Sequence, residues 1–315
     1  MFRRKALRKI FVATMSLFIL LFVVTITSYD DSMTLKTNLE IEEIAGFNIS
    51  SVYLLNDNNL LVRSKTLIKS ESEKERVKEV VTNLIVNNSN ILVDGLYGII
   101  PCDVEIKDIV VGNRIVTIDF SKELLNVSSE LEKQMISAIT YSIIDLGGYD
   151  GVRILVEGEV LDKLPNSLDK LPLIINKEFG INESFDITSR DDINKVVVYY
   201  LENINNSLYY VPVTKYLNDD RDKIKIIVEE LSSNYIYETN LMSFLNSNTK
   251  LLEYSEEDNV MYLNFNDYLF DGNDKVLEEV IYCLAYSVFD NYDVNMVMFE
   301  VNSEKIGHID IKDIH

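Results

Sequence analysis

Ile136-Ser-Ala-Ile-Thr-Tyr-Ser-Ile-Ile-Asp145 returns further along the chain as Ile281-Tyr-Cys-Leu-Ala-Tyr-Ser-Val-Phe-Asp290. Tyr141, Ser142 and Asp145 thereby recur as Tyr286, Ser287 and Asp290, an offset of 145 residues. The same offset, without a gap, carries Ile118-Asp119-Phe120 onto Leu263-Asn264-Phe265 and Val156-Glu157-Gly158-Glu159 onto Val301-Asn302-Ser303-Glu304. A match that keeps register over about forty residues marks a duplicated structural unit.

Val116, Ile118 and Phe120 alternate with Thr117 and Asp119, as Met261, Leu263 and Phe265 alternate with Tyr262 and Asn264. That is the period of a strand with one buried face. Leu131, Met135, Ile136, Ile139 and Ile143 then recur at helical spacing, and Val276, Val280, Ile281, Leu284 and Val288 keep the stripe. Ser129 and Glu132 have the spacing of a capping box, Asp274 stands where Ser129 does, and Gly147-Gly148 would end the first helix. Val152, Ile154 and Val156 alternate again beyond it, as do Val297, Phe299 and Val301. The repeated block is strand, helix, strand.

Upstream of each block lies a hairpin pattern, Val52–Leu55 and Leu60–Val62 about an Asn-rich turn, answered by Val196–Leu201 and Leu208–Val213. A helix comes next with Val77, Val80, Val81, Leu84 and Ile85, or Ile224, Ile227, Val228 and Leu231, on one face. Each unit thus reads β-β-α-β-β-α-β. The expected class is α+β, with two tandem two-layer α/β sandwich domains, two helices covering one face of a mainly antiparallel sheet in each. The boundaries fall at 48–162 for the first domain and 191–315 for the second. Between them, 163–190, with Pro165 and Pro172, reads as a linker in which Leu171–Ile175 can pack on a domain.

The chain of 315 residues carries a formal charge of -21. Without a basic stripe, such a body lacks the main source of nucleic-acid affinity. The one basic cluster is Arg3-Arg4-Lys5 with Arg8-Lys9, in residues 1–9, ahead of an uncharged apolar run at 10–28 long enough to cross a hydrocarbon core. The positive-inside rule keeps the N-terminus cytoplasmic and exports the chain beyond residue 28, with 29–47 as a juxtamembrane linker. A cleaved signal peptide is the competing reading of 10–28; Thr25 and Thr27 fit an Ala-x-Ala site poorly, which favours an uncleaved single-pass anchor in the cell membrane.

Gly112-Asn-Arg-Ile-Val-Thr-Ile-Asp-Phe-Ser121, the helix ending Ser142-Ile-Ile-Asp-Leu-Gly147, and Val152-Arg-Ile-Leu-Val-Glu-Gly158 together resemble the GerM-type sporulation and germination domain, GerMN. The second unit departs from the pattern: Asn264 replaces Asp119, Ser303 replaces Gly158, and Tyr292-Asp293 replace Gly147-Gly148. The resemblance implies a module similar in fold to the ring-building units of the channel between mother cell and forespore, and a role in assembling that envelope complex. It also implies a lipoprotein, yet no Cys comes directly after the apolar run. The function so implied is a non-enzymatic, extracytoplasmic, membrane-anchored scaffold whose partners are other envelope or sporulation-complex proteins, or a second copy of itself.

The alternative is a peptidoglycan-binding or peptidoglycan-hydrolysing envelope protein, with Asp119 and Glu157 as the acid pair. Those positions become Asn264 and Asn302 in the copy, which favours solvated sheet residues. Two histidines, His308 and His315, leave little from which to build a triad or a zinc site, and no P-loop or dinucleotide fingerprint occurs. No catalytic, cofactor or metal residue is therefore assigned. The acidic runs at Asn218–Asp222 and Asp267–Asp274 miss the EF-hand spacing and read as caps and turns. Cys102 and Cys283 fall in different units and read as unpaired. Tyrosines crowd the second unit, among them Tyr199, Tyr200, Tyr209, Tyr210, Tyr235, Tyr237 and Tyr262. Alternation places about half of them in the core. Tyr262 and Met298 fall on the polar register and are the interaction candidates.

Overall fold

The computed structural model describes residues 48–86, 95–233, 240–270 and 275–314. The apolar run 10–28 lies outside these residues, as do Tyr235, Tyr237, Asp274 and His315. Among the described residues no helix is long and apolar enough to cross a membrane.

In the first unit β1 (Asn48–Asn56) and β2 (Leu61–Ile68) form a hairpin. They are succeeded by α1 (Glu73–Asn83), β3 (Leu96–Tyr97), β4 (Ile106–Gly112), β5 (Ile115–Phe120), α2 (Glu132–Ile144), β6 (Gly151–Val156) and β7 (Glu159–Val160). β8 (Ser184–Asp186) belongs to the connecting segment. The second unit repeats the order as β9 (Ile193–Ile204), β10 (Ser207–Asn218), α3 (Lys223–Ser232), β11 (Leu241–Met242), β12 (Leu251–Glu257), β13 (Val260–Phe265), α4 (Glu278–Phe289), β14 (Met296–Val301) and β15 (Glu304–Asp310). β3, β11, β7 and β15 go beyond the expected order of elements.

The α+β class holds, but one sheet per unit does not. β4-β5-β6-β7 and β12-β13-β14-β15 are separate four-stranded sheets, each with a parallel central pair joined through its helix, β5 with β6 and β13 with β14. The two hairpins leave their own units and merge into a third, seven-stranded sheet, ordered β11-β9-β10-β2-β1-β3 with β8 on β10. A helix therefore meets strands from two sheets: α2 touches both β1 and β6. This explains why α2 is buried nearly all round, Ser137, Thr140 and Ser142 included, rather than along a single stripe. Its uncharged run from Met135 to Ile144 is the sequence trace of that environment.

Local signals explain most element ends. The Ser72 side chain accepts from Glu75 N at the start of α1, and Asp222 caps α3 by accepting from Ile224 N. Gly147 and Gly148, at φ 84° and 83°, supply the left-handed turn after α2 that a side chain would resist. The capping box at Ser129 does not form. Leu131 is the N-cap, and the buried Glu132 carboxylate instead accepts from Asn166 N at 2.7 Å and Ser167 N at 3.0 Å. Two orphan backbone donors of the connecting segment outcompete the helix terminus for that carboxylate.

The connecting segment packs closely. Ile175 is buried and exchanges two backbone hydrogen bonds of 2.8 Å with Val152 on the edge of β6. In the second unit β15 pairs along the whole of β14, Ile309 opposite Val297. Ile175 thus takes in the first unit the place that Ile309 takes in the second.

Candidate functional site

Each hairpin ends in a row of backbone donors at a sheet edge that β3 or β11 covers for only two residues. Tyr53 N finds its acceptor in Ser142 Oγ at 2.9 Å, and Tyr199 N finds the repeat-equivalent Ser287 Oγ at the same distance. The Tyr53 hydroxyl donates to Asp145 Oδ2 at 2.7 Å, and the Tyr199 hydroxyl to Asp290 Oδ2 at 2.7 Å. The duplicated Tyr-Ser-x-x-Asp run is therefore a helix-to-strand fastening. Its serine satisfies a strand N–H and its aspartate orients a strand tyrosine.

The two fastenings meet. The hydroxyl oxygens of Tyr53 and Tyr199 stand 3.2 Å apart, and Lys177 places its ammonium between the carboxylates, 2.8 Å from Asp145 Oδ1 and 2.5 Å from Asp290 Oδ1. Both aspartate side chains are 4% exposed. Arg63 adds Nε to Asp145 at 3.3 Å, Nη1 to the Tyr286 hydroxyl at 2.8 Å and Nη2 to Ile314 O at 2.5 Å. Its guanidinium also lies 4.3 Å from the Tyr286 ring centroid, so two of its edges and a face are occupied.

Burial alone would lower the Lys177 ammonium, but Asp145 and Asp290 outweigh it and hold it well above the ordinary lysine value. Burial, reinforced by the same carboxylates, pushes the Tyr53 and Tyr199 hydroxyls up, so both stay protonated donors.

The backbone joint is narrower than the side-chain one. β2 and β10 pair at Arg63 and Tyr210. Two residues on, Pro212 has no N–H to continue the ladder. The Asn182 side chain fills the gap, accepting from Leu61 N at 2.8 Å and donating to Leu61 O at 2.8 Å and Pro212 O at 2.7 Å. Glu202 closes the far side by accepting from Asn56 and Asn58.

The outer faces of the two four-stranded sheets are the second region of interest. Tyr262 and Met298 are opposite each other in the β13–β14 register and half-buried, with the Lys305 ammonium 5.6 Å over the Tyr262 ring. The corresponding face of the first unit carries Val110, Thr117, Arg153 and Leu155, Val110 being 57% exposed. Asp119 Oδ1 accepts from Gly158 N at 2.9 Å, as Asn264 Oδ1 accepts from Ser303 N at 2.9 Å. Glu157 accepts from Lys122 N and pairs with Lys107. These carboxylates close turns. Ser303 takes φ 69° where Gly158 takes 83°, so the exchange leaves the turn intact.

Of the acidic runs, Asp219 pairs with Arg221 and Asp222 caps α3. Cys102 and Cys283 are free thiols, the latter buried and raised above its usual value by desolvation, then by Glu279. Tyr199 and Tyr200 are core, and Tyr209 and Tyr210 are half-buried. Sequence reasoning missed Lys177 and Arg63. The available signal was an aspartate recurring directly after the uncharged runs 134–144 and 280–289, where burial demands a cation.

These features define a tandem α+β protein whose repeats are fastened by a buried charged junction. A family model described as Germane, sporulation and spore germination, matches residues 51–162 and 197–307, and the chain belongs to that family. It is 26% identical over 263 residues to the spore germination protein GerM of Bacillus subtilis strain 168, covering 80% of this chain and 71% of that protein. The solved tandem GerMN domains of the Bacillus subtilis sporulation protein GerM superpose with a TM-score of 0.75 at 23% identity, over 82% of this chain and 92% of that one. The chain is a GerM-like sporulation and germination protein with tandem GerMN domains.

Proposed function

We propose that this chain is a non-enzymatic scaffold of the spore-forming cell envelope. Residues 10–28 hold it in the membrane with the N-terminus cytoplasmic, and its two units lie on the extracytoplasmic side as one body. The observation that carries this reading is the pairing of a buried junction, fastened from both repeats, with an outer sheet face on which Tyr262 and Met298 stand side by side. A stiff body with an aromatic and a thioether anchor on one face suits docking to another envelope protein. Asp119 and Glu157, engaged by backbone N–H groups, offer a hydrolase reading no free acid pair.

The test is crosslinking from sporulating cells expressing the full chain with Tyr262→Ala and Met298→Ala. The scaffold reading expects loss of a specific crosslinked envelope partner at unchanged protein level. Cell-wall hydrolysis abolished by Asp119→Asn would replace it with the enzymatic reading. Carbonate extraction of membranes tests the anchor, with a soluble product beginning near Ser28 as the contrary result.

A further inference from the structure

The offset of 145 residues lets the two outer faces be compared position by position. Asp108, Gly112, Thr117, Arg153 and Leu155 of the first unit become Glu253, Glu257, Tyr262, Met298 and Glu300 in the second. In the first unit the chain neutralises its own acids: Asp108 pairs with Lys74 at 2.7 Å, Glu157 with Lys107, and Asp150 with Arg114. In the second, Glu253, Glu257 and Glu300 meet no basic side chain in an ion pair among the described residues. With Tyr254, Ser255, Tyr262 and Asn264 they line a shallow concavity of about 230 Å³.

Lys305 of the same sheet already meets the Tyr262 ring. It stands opposite Glu300 in the β14–β15 register, yet its ammonium lies over the Tyr262 ring and the carboxylate is left unmatched. A second copy laid face to face would set these carboxylates against their own images, which is costly. An acidic partner is disfavoured for the same reason.

We infer that this face receives a basic polypeptide segment of another protein, its lysine or arginine groups meeting Glu253, Glu257 and Glu300 while apolar groups rest on Tyr262 and Met298. This rests on the scaffold reading and names the chemistry of the partner. The carboxylates set encounter rate and salt dependence, and the two apolar side chains set residence.

The test uses the full chain in detergent micelles and a labelled decapeptide of alternating lysine and valine, with an alternating glutamate and valine peptide as control. Zero-length carbodiimide coupling, read by mass spectrometry, is expected to join the basic peptide to Glu253, Glu257 and Glu300 in preference to the exposed Glu71, Glu75 and Glu130. Glu253→Gln with Glu257→Gln and Glu300→Gln is expected to weaken peptide binding about tenfold at low salt. The charge-matched Glu71→Gln, Glu75→Gln and Glu130→Gln variant should change it less than about twofold. Thermal melts confirm that both variants fold. Equal weakening by the two triple variants, or coupling scattered over all exposed acids, overturns the inference. If Tyr262→Ala with Met298→Ala abolishes the cellular crosslink while the Glu253, Glu257 and Glu300 variant keeps it, the scaffold reading stands and the basic partner does not.

Discussion

The junction and the outer sheet faces come from the same duplicated sequence and have had opposite histories. At the junction the copies keep the same fastening: Ser142 and Ser287 accept equivalent strand N–H groups, and Asp145 and Asp290 equivalent tyrosine hydroxyls. On the outer faces hardly a side chain is shared, Thr117 corresponding to Tyr262 and Arg153 to Met298. Each unit is constrained at the junction and not on its outer face. A buried strand donor or carboxylate without a partner costs far more than a change on a solvated face, so the fastening is kept and the face is free to specialise.

Lys177→Met should have the largest effect, because it leaves two buried carboxylates close together. We expect a loss of about 3 kcal/mol in denaturant unfolding, the lower end for a buried ion-pair partner because the Lys177 side chain is 25% exposed. The lysine is raised in the folded state, so its contribution is fully present below the unfolded lysine range and lost only as pH climbs through the folded value. The deficit should therefore be the same at pH 6 and pH 9, and a deficit that shrinks between them would count against the ion pair.

Ser142→Ala and Ser287→Ala come next. Each strands a buried N–H and should cost about 1–3 kcal/mol, nearly equally in the two repeats. A cost confined to one of them would show that the fastening works in a single unit. Tyr53→Phe and Tyr199→Phe should each cost about 1 kcal/mol. Because their hydroxyls adjoin, the double variant should lose less than the two single losses combined, and strict additivity would separate the two halves of the junction.

Glu132→Gln probes the part of the first unit that has no copy. Burial opposes ionisation of Glu132, but hydrogen bonds from Ser167 and Asn166 outweigh it and hold the carboxyl below the usual range. Its stabilisation is present above the unfolded carboxyl value and fades as pH falls through the folded one. The variant should be less stable than wild type at pH 7, and the gap should narrow as pH falls below the unfolded carboxyl range. The smallest effect belongs to the outer face: Tyr262→Ala with Met298→Ala should change stability by about 1 kcal/mol or less while altering binding. A large drop in melting temperature would mark that pair as covered core.

How much of this was legible depended on whether a feature is periodic. Helix faces such as Val77, Val80 and Val81, the hairpin turns and the alternation that sets Tyr262 and Met298 apart from their buried neighbours all derive from local spacing. The merging of two hairpins into one sheet does not, because strand pairing between β2 and β10 leaves no mark on either period. Lys177 and Asn182 were hidden for another reason: they lie in a non-repeated segment rich in polar residues, where no alignment of the copies could single them out. Their partners were visible, Asp145 and Asp290 directly after the uncharged runs 134–144 and 280–289, and Pro212 within a strand pattern.

A junction fastened from both repeats should hold the two units as one rigid body. Spin labels on Val110→Cys and Ser255→Cys, in a Cys102→Ser background of the full chain, report the distance between the outer faces by pulsed dipolar spectroscopy. A single narrow distance distribution that broadens with Lys177→Met is expected, and a broad or multimodal distribution without that substitution would show two units that move independently.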